Sequence, residues 1–261
     1  MFTQLSRVSG LAALSACLAT PAFGQSNDTK LVNLDTNYVA PMNSASARAD
    51  VRVFGNDEKQ TYGTIELNAG LQKGFGLVVR GTFSKFTNFT GPGFVIRHGG
   101  SDLEAQLKYV SPTFPNLSVS AGASLPNTPA QDKLFGTAQA IYEVPLNKAS
   151  LYFGAKGVFR QDSTIVGISG GFAFRAAEGF ELIGDVTGIL SGETSYNTGS
   201  GNREHRAVYG LGIRYTPKTV GRQQFSLEGG ITNGLGGSTG FSMTPALGNT
   251  VGAYFGASVR Y

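Results

Sequence analysis

The chain has 261 residues, enough for one large domain or two small ones. Charged residues make up only 15% of it, against roughly a quarter in ordinary soluble domains. The net charge of +4 comes without a run of lysines or arginines, which excludes a nucleic-acid-binding footprint. No stretch reaches the roughly 18 to 20 consecutive apolar residues of a membrane-spanning helix. An apolar exterior therefore requires a closed barrel, because lipid satisfies no backbone group.

The first 24 residues have the pattern of a secretory signal peptide, and we predict cleavage after residue 24. Arg7 supplies the positive start, residues 8–19 are apolar, and small residues at 22–24 suit a cleavage site. The run Leu-Ser-Ala-Cys ending at Cys17 also resembles a bacterial lipobox, so acylation of Cys17 is the alternative. Both routes export the chain beyond the inner membrane. Ordinary cleavage leaves no cysteine for a disulfide.

Twelve segments with period-two alternation follow a polar lead-in. Residues 25–45 are irregular, and we interpret them as a periplasmic segment that can lie partly in the lumen. Each later segment is about as long as a tilted strand that crosses a bilayer. The segments are 46–54, 60–71, 75–86, 102–110, 117–125, 134–144, 149–160, 164–175, 180–190, 205–215, 223–232 and 251–261. Short and long connections tend to alternate between them, as periplasmic turns and extracellular loops do in a barrel.

Charged side chains fall on the face opposite the apolar series of their segment, except Lys85, which lies at a strand end where it can reach the headgroups. In 102–110, for example, Leu103 and Leu107 face one way while Glu104 and Lys108 face the other. A Lys or Arg facing lipid at mid-bilayer costs about 2 to 4 kcal/mol, which accounts for this separation. We therefore predict an apolar exterior and a charged lumen. A soluble sandwich with the faces reversed is the alternative, but the many small residues on the apolar faces make a poor core.

The last segment alternates Val251, Ala253, Phe255, Ala257, Val259 and Tyr261 with more polar residues, and it ends on an aromatic residue. With the leader and the repeated strands, it resembles the bacterial outer-membrane β-barrel class, in particular the smaller porin-like channels. The resemblance implies an all-β, antiparallel up-and-down transmembrane barrel of about twelve strands (roughly 10–14) over 46–261. It also implies the outer membrane as location, contact with its lipid and lipopolysaccharide, and insertion by the barrel-assembly machinery.

A narrow pore for passive or mildly selective passage of small hydrophilic solutes is the predicted function. A barrel of about twelve strands has less room than the roughly 16 to 18 strands of an open porin. Inward glycines such as Gly154, Gly171 and Gly210 are expected to leave space beside the charges. Inward cations outnumber inward anions, which predicts a mild preference for anions. The pore-lining candidates are Arg80, Lys108, Lys156, Arg160, Arg214, Arg260, Glu66, Glu104 and Glu228.

Two alternatives remain open beside the pore. In the first, the same charges pair and seal the barrel, which then acts as a scaffold or through recognition by its outer loops. In the second, the barrel is a lipid hydrolase with a Ser/His pair, for which the sequence offers only His98 and His205. Gly-x-Ser-x-Gly occurs around Ser169 and Ser238, but we predict no helix after either serine, as a nucleophile elbow requires. We predict no enzymatic activity, cofactor or metal site. We predict that residues 234–240 form a flexible outer loop.

Overall fold

The computed structural model describes residues 28–55, 60–86, 101–127, 134–160, 164–192, 207–217, 223–246 and 249–261. The predicted signal peptide, Cys17, His98 and His205 lie outside these residues. None of the described residues forms a helix long and apolar enough to cross a membrane.

Twelve antiparallel strands pair in chain order and close into a barrel where β1 meets β12. The strands are β1 (Ala45–Phe54), β2 (Gln60–Gln72), β3 (Phe75–Phe86), β4 (Ser101–Val110), β5 (Leu117–Asn127), β6 (Phe135–Pro145), β7 (Ala149–Phe159), β8 (Thr164–Ala177), β9 (Phe180–Ser191), β10 (Val208–Tyr215), β11 (Gln224–Thr232) and β12 (Gly252–Arg260). The predicted fold class is confirmed. The largest boundary difference is at β10, which was predicted from residue 205 and begins at Val208.

Tight turns join strands at the end of the barrel where β1 begins and β12 ends, here called the terminal end. Gly74 and Gly179 sit in two of these turns with φ of +78° and +76°. A Cβ at Gly74 would lie 2.5 Å from the carbonyl oxygen of Val110, and one at Gly179 would lie 2.7 Å from that of Thr216. Glycine therefore serves both the left-handed backbone and the close approach of the next strand.

The outer surface of the barrel is apolar. Leu103 and Leu107 are each 57% exposed and Phe255 is 66% exposed, whereas Glu104 and Lys108 on the opposite face of β4 are buried. Near the terminal end, aromatic rings pair across neighbouring strands, with Phe75 and Tyr109 centroids 4.4 Å apart. A soluble barrel would show the reverse arrangement, so this exterior is suited to lipid.

Two segments that are not part of the wall fill the lumen. The first is residues 28–37, here called the lumenal hairpin, in which every residue is buried. It folds back on itself, since the Leu31 N–H donates to the Leu34 carbonyl at 2.8 Å and the Thr36 N–H donates to the Thr29 carbonyl at 3.0 Å. The hairpin lies inside the barrel on the terminal side and continues into β1. This places part of the predicted lead-in within the lumen.

The second segment is residues 233–246, here called the lumenal loop, which joins β11 to β12. The prediction of a flexible outer loop at 234–240 was wrong, because this connection turns inward and is largely buried. Its apolar side chains drive the turn: Leu235 and Phe241 cluster with Phe54 and Tyr62 of the wall. A one-turn 3₁₀ helix, Phe241–Met243, follows Ser238, where no helix was predicted. Three residues of 3₁₀ helix do not make the strand-to-helix elbow of a hydrolase.

Candidate functional site

Wall glycines receive the apolar side chains of the lumenal hairpin. A Cβ added at Gly171 would lie 2.4 Å from Leu31, one at Gly210 would lie 2.4 Å from Val32, and one at Gly154 would lie 3.2 Å from Leu34. The sequence predicted that these glycines leave space in the lumen, and the hairpin occupies that space. The occupant was not predicted, because glycines on three separate strands form one slot only after the barrel closes.

Cations of the wall hold the hairpin through its main-chain carbonyl oxygens. Charge-assisted bonds of this kind are roughly twice as strong as neutral ones. The donors and acceptors are Arg214 to Lys30 at 2.5 Å, Arg48 to Lys30 at 3.3 Å and to Leu31 at 3.2 Å, Arg52 to Val32 at 2.9 Å, Lys156 to Asn33 at 2.9 Å, and Lys108 to Thr36 at 2.5 Å. Three of these donors, Lys108, Lys156 and Arg214, were predicted to line the pore.

The carboxylate of Asp185 on β9 binds the hydrogen-bond donors at the tip of the hairpin. It accepts the backbone N–H groups of Val32, Asn33 and Leu34 at 2.8, 2.6 and 3.1 Å. It also accepts the side-chain amide of Asn33 at 2.9 Å. Consecutive N–H groups that converge on one anion form a backbone nest. The wall thus satisfies both the donors and the acceptors of the hairpin main chain.

Arg80 links the hairpin to two strands of the wall. Its guanidinium contacts Glu66 at 2.7 Å, Glu104 at 2.9 Å and Asp35 of the hairpin at 2.6 Å. Burial opposes a negative charge on Asp35, but Arg80 and Lys30 outweigh it and hold the pKa of that carboxyl well below its usual value. Asp35 is therefore ionised in place. The predicted pore residues Glu66 and Glu104 are both paired with Arg80, itself a predicted pore residue.

A second charged cluster joins the start of the hairpin to β1, β10 and β11. Arg214 contacts Asp28 at 3.3 Å and Glu228 at 3.1 Å, and Arg48 also pairs with Glu228. Burial raises the pKa of Asp28, but the guanidinium groups of Arg214 and Arg48 outweigh burial and lower it overall. Both arginines therefore serve wall and hairpin at once.

Three successive inward side chains of β4 hold the tip of the lumenal loop. Ser238 donates its hydroxyl to Asp102, the Thr239 N–H donates to Glu104 at 3.1 Å, and Gln106 donates to the Thr239 hydroxyl at 2.9 Å. Asp102 was not among the predicted pore-lining residues, although it shares the parity of Glu104.

The hairpin and the loop meet inside the barrel. The Lys30 ammonium donates to the Gly237 carbonyl at 2.5 Å. Arg52 bridges the two segments, donating to the Asn33 side chain at 2.5 Å and to the Gly234 carbonyl at 2.9 Å. Below this contact, a vestibule of about 850 Å³ opens at the terminal end, with Arg214 and Arg260 among its lining residues.

The remaining predicted pore residues lie at the rims. Arg160 follows β7 at the far end, where its guanidinium lies 5.3 Å from the ring centre of Phe135. Arg260 ends β12 and lies 5.6 Å from the ring centre of Tyr38, which follows the hairpin. Sequence parity thus located the lumen-facing charges, but whether they line a conducting pore remains a prediction.

No protein-family model and no curated protein sequence matches the chain. Solved structures do, and one is a NanC porin, with 10% identity, 83% of this chain and 98% of that chain covered, and a TM-score of 0.50. The fold is that of a bacterial outer-membrane β-barrel. A COG4313 outer-membrane channel from Pseudomonas putida F1 also matches this barrel, with 15% identity, coverage of 85% and 95%, and a TM-score of 0.48. LpxR from Salmonella typhimurium matches it with 10% identity, coverage of 84% and 99%, and a TM-score of 0.47.

Proposed function

We propose that this protein is an outer-membrane channel for small hydrophilic solutes, closed in the conformation described by the lumenal hairpin and the lumenal loop. One observation carries the proposal. The inner face of the barrel is mostly polar and charged along β1 to β4, and the segments that occupy the lumen are separate from the wall strands. A barrel sealed for good needs no such lining, because apolar side chains would fill it at lower desolvation cost.

The orientation of the barrel in the membrane follows from the lengths of the connections between its strands. The described turns at the terminal end are short, so we place that end, the vestibule and the hairpin on the periplasmic side. The apolar exterior then contacts outer-membrane lipid and lipopolysaccharide, and the barrel-assembly machinery inserts the chain. A solute from the outside meets the lumenal loop first and the hairpin second.

Surface recognition by a sealed barrel is the second candidate, and the filled lumen favours it. A lipid hydrolase has less support in the described residues. The Ser169 hydroxyl pairs with that of Thr187 at 2.7 Å, and Ser238 is bonded to Asp102. The two histidines that could serve as a base lie outside the described residues.

Solute flux separates channel from scaffold. The full chain and a variant with Leu31, Val32 and Leu34 all changed to Ser are refolded into liposomes, and entry of small sugars and amino acids is followed by swelling. Burial of each of the three side chains contributes about 1.5 to 3 kcal/mol, so their loss weakens docking of the hairpin strongly. We expect faster flux through the variant than through the parent. Equal flux, at the level of empty liposomes, in two correctly folded barrels would instead support the sealed scaffold.

A further inference from the structure

The wall binds the main chain of the lumenal hairpin at several consecutive residues. Wall cations donate to the carbonyl oxygens of Lys30, Leu31, Val32, Asn33 and Thr36. One carboxylate accepts three consecutive N–H groups at the tip. Main-chain groups are the same in every peptide, so this part of the recognition is independent of the hairpin's sequence.

Side-chain recognition adds a coarse filter. Leu31, Val32 and Leu34 enter slots above Gly171, Gly210 and Gly154, where the wall carries no side chain. The rest of this lining is apolar and includes Ile141 and Tyr152. Such slots select for apolar side chains at three positions. The ion pairs of Asp28 with Arg214 and of Asp35 with Arg80 add a preference for an acidic side chain on either side.

We infer that the lumen wall is a binding site for short peptides, and that the hairpin is its resident ligand. The inference deepens the proposed function, since it rests on the channel for the route by which a peptide arrives and names oligopeptides as the solute class. A sugar offers hydroxyl groups but no regular alternation of carbonyl acceptors and N–H donors. The wall, with cations facing carbonyls and Asp185 facing N–H groups, matches the peptide pattern.

The covalent link of the hairpin to β1 gives it an advantage over any free peptide. A tethered ligand acts at an effective concentration on the order of millimolar. A competing peptide therefore gains access only when docking of the hairpin is weakened. The variant with Leu31, Val32 and Leu34 changed to Ser provides this condition, because it changes the hairpin and leaves every wall residue in place.

The test measures binding of fluorescent peptides to the purified full-length barrel in detergent. The first peptide has the sequence of residues 28–37. It is expected to bind the triple variant at least about tenfold more tightly than the parent, whose site is occupied. A second peptide keeps the three apolar residues and Asp28, Lys30, Asn33 and Asp35 but changes the remaining polar ones, and it is expected to bind within about threefold of the first. A third, N-methylated at the three amides that face Asp185, is expected to bind about tenfold more weakly.

Three results would overturn the inference: equal affinity of the first peptide for parent and variant, no effect of N-methylation, or displacement by a linear glucose oligomer of similar mass at equal concentration. Val32→Ser alone replaces the triple variant if the latter does not fold. Because binding is read without current or flux, its failure is distinguishable from failure of the channel. Peptide binding without solute passage would support the peptide site and refute the channel. Solute passage without peptide binding would support the channel and refute the peptide site.

Discussion

Asp185→Ala should release the lumenal hairpin without disturbing the barrel wall. The carboxylate accepts hydrogen bonds from three backbone N–H groups and one side-chain amide of residues 32–34. Bonds to a charged group are worth about 1.5 to 3 kcal/mol each and are not additive, so we take about 3 to 4 kcal/mol for the set. Since about 1.4 kcal/mol is a factor of ten, the docked-to-released ratio should fall by about 100- to 1000-fold.

Trypsin reads this equilibrium directly, because Lys30 is the only Lys or Arg within residues 28–37 and it is buried when the hairpin is docked. Cleavage after Lys30, followed by intact mass, tracks the released fraction while opening is fast relative to cleavage. We expect the rate to rise by about the same factor in Asp185→Ala and less in Asp185→Asn, which keeps one acceptor oxygen. Thr187→Ala is the matched control: it lies on the same face of β9 and bonds to Ser169. Equal cleavage rates in parent and Asp185→Ala would refute the reasoning.

Three further predictions concern the ion pairs, the turns and acidity. Arg80→Ala leaves three buried carboxylates without their shared cation and should lower the free energy of unfolding in urea by about 3 to 5 kcal/mol; a loss below about 0.5 kcal/mol, as expected for the exposed Arg175→Ala, would contradict the pairing. Gly74→Val places a side chain at φ +78° and close to the Val110 carbonyl, so the refolded fraction should drop, whereas Gly63→Ala, with nothing within 4 Å of the new Cβ, should refold like the parent. Because docking lowers the pKa values of Asp28 and Asp35, their ionised carboxylates stabilise the docked hairpin. This contribution is fully present above the ordinary carboxyl pKa of about 4 and is lost as the pH falls through the lower pKa values of the docked state. Hydrogen exchange of residues 28–37, corrected for intrinsic rates, should therefore show constant protection from about pH 7 to about pH 5 and loss of protection only below about pH 4; loss near pH 6 would count against the assignment.

The barrel could be predicted from the sequence because the alternation of side chains that defines each strand is local. Each strand alternates between lipid and lumen, so a single period-two pattern fixes both its position and the direction of its side chains. Leu103, Glu104, Leu107 and Lys108 show the rule on β4, and the structure follows it. Asp102 obeys the same rule, but it was overlooked because it stands at the predicted start of the strand.

The positions of the lumenal hairpin and the lumenal loop could not be predicted in the same way. The hairpin carries no periodic pattern, and its site consists of Gly154, Gly171 and Gly210, which come from different strands and meet only in the closed barrel. The lumenal loop did leave a signal. Its glycine-rich sequence contains Leu235 and Phe241, and large apolar residues in an outer loop cost free energy unless they find a buried partner.

Single-channel recording tests the central claim, that a polar conducting lumen exists and that the hairpin closes it. The parent should be closed most of the time, and the variant with Ser at positions 31, 32 and 34 should show long-lived openings in the same bilayer. Folding of both proteins is checked beforehand by circular dichroism and by the heat-induced mobility shift of folded barrels. A variant as silent as the parent, with the barrel intact, would contradict the account.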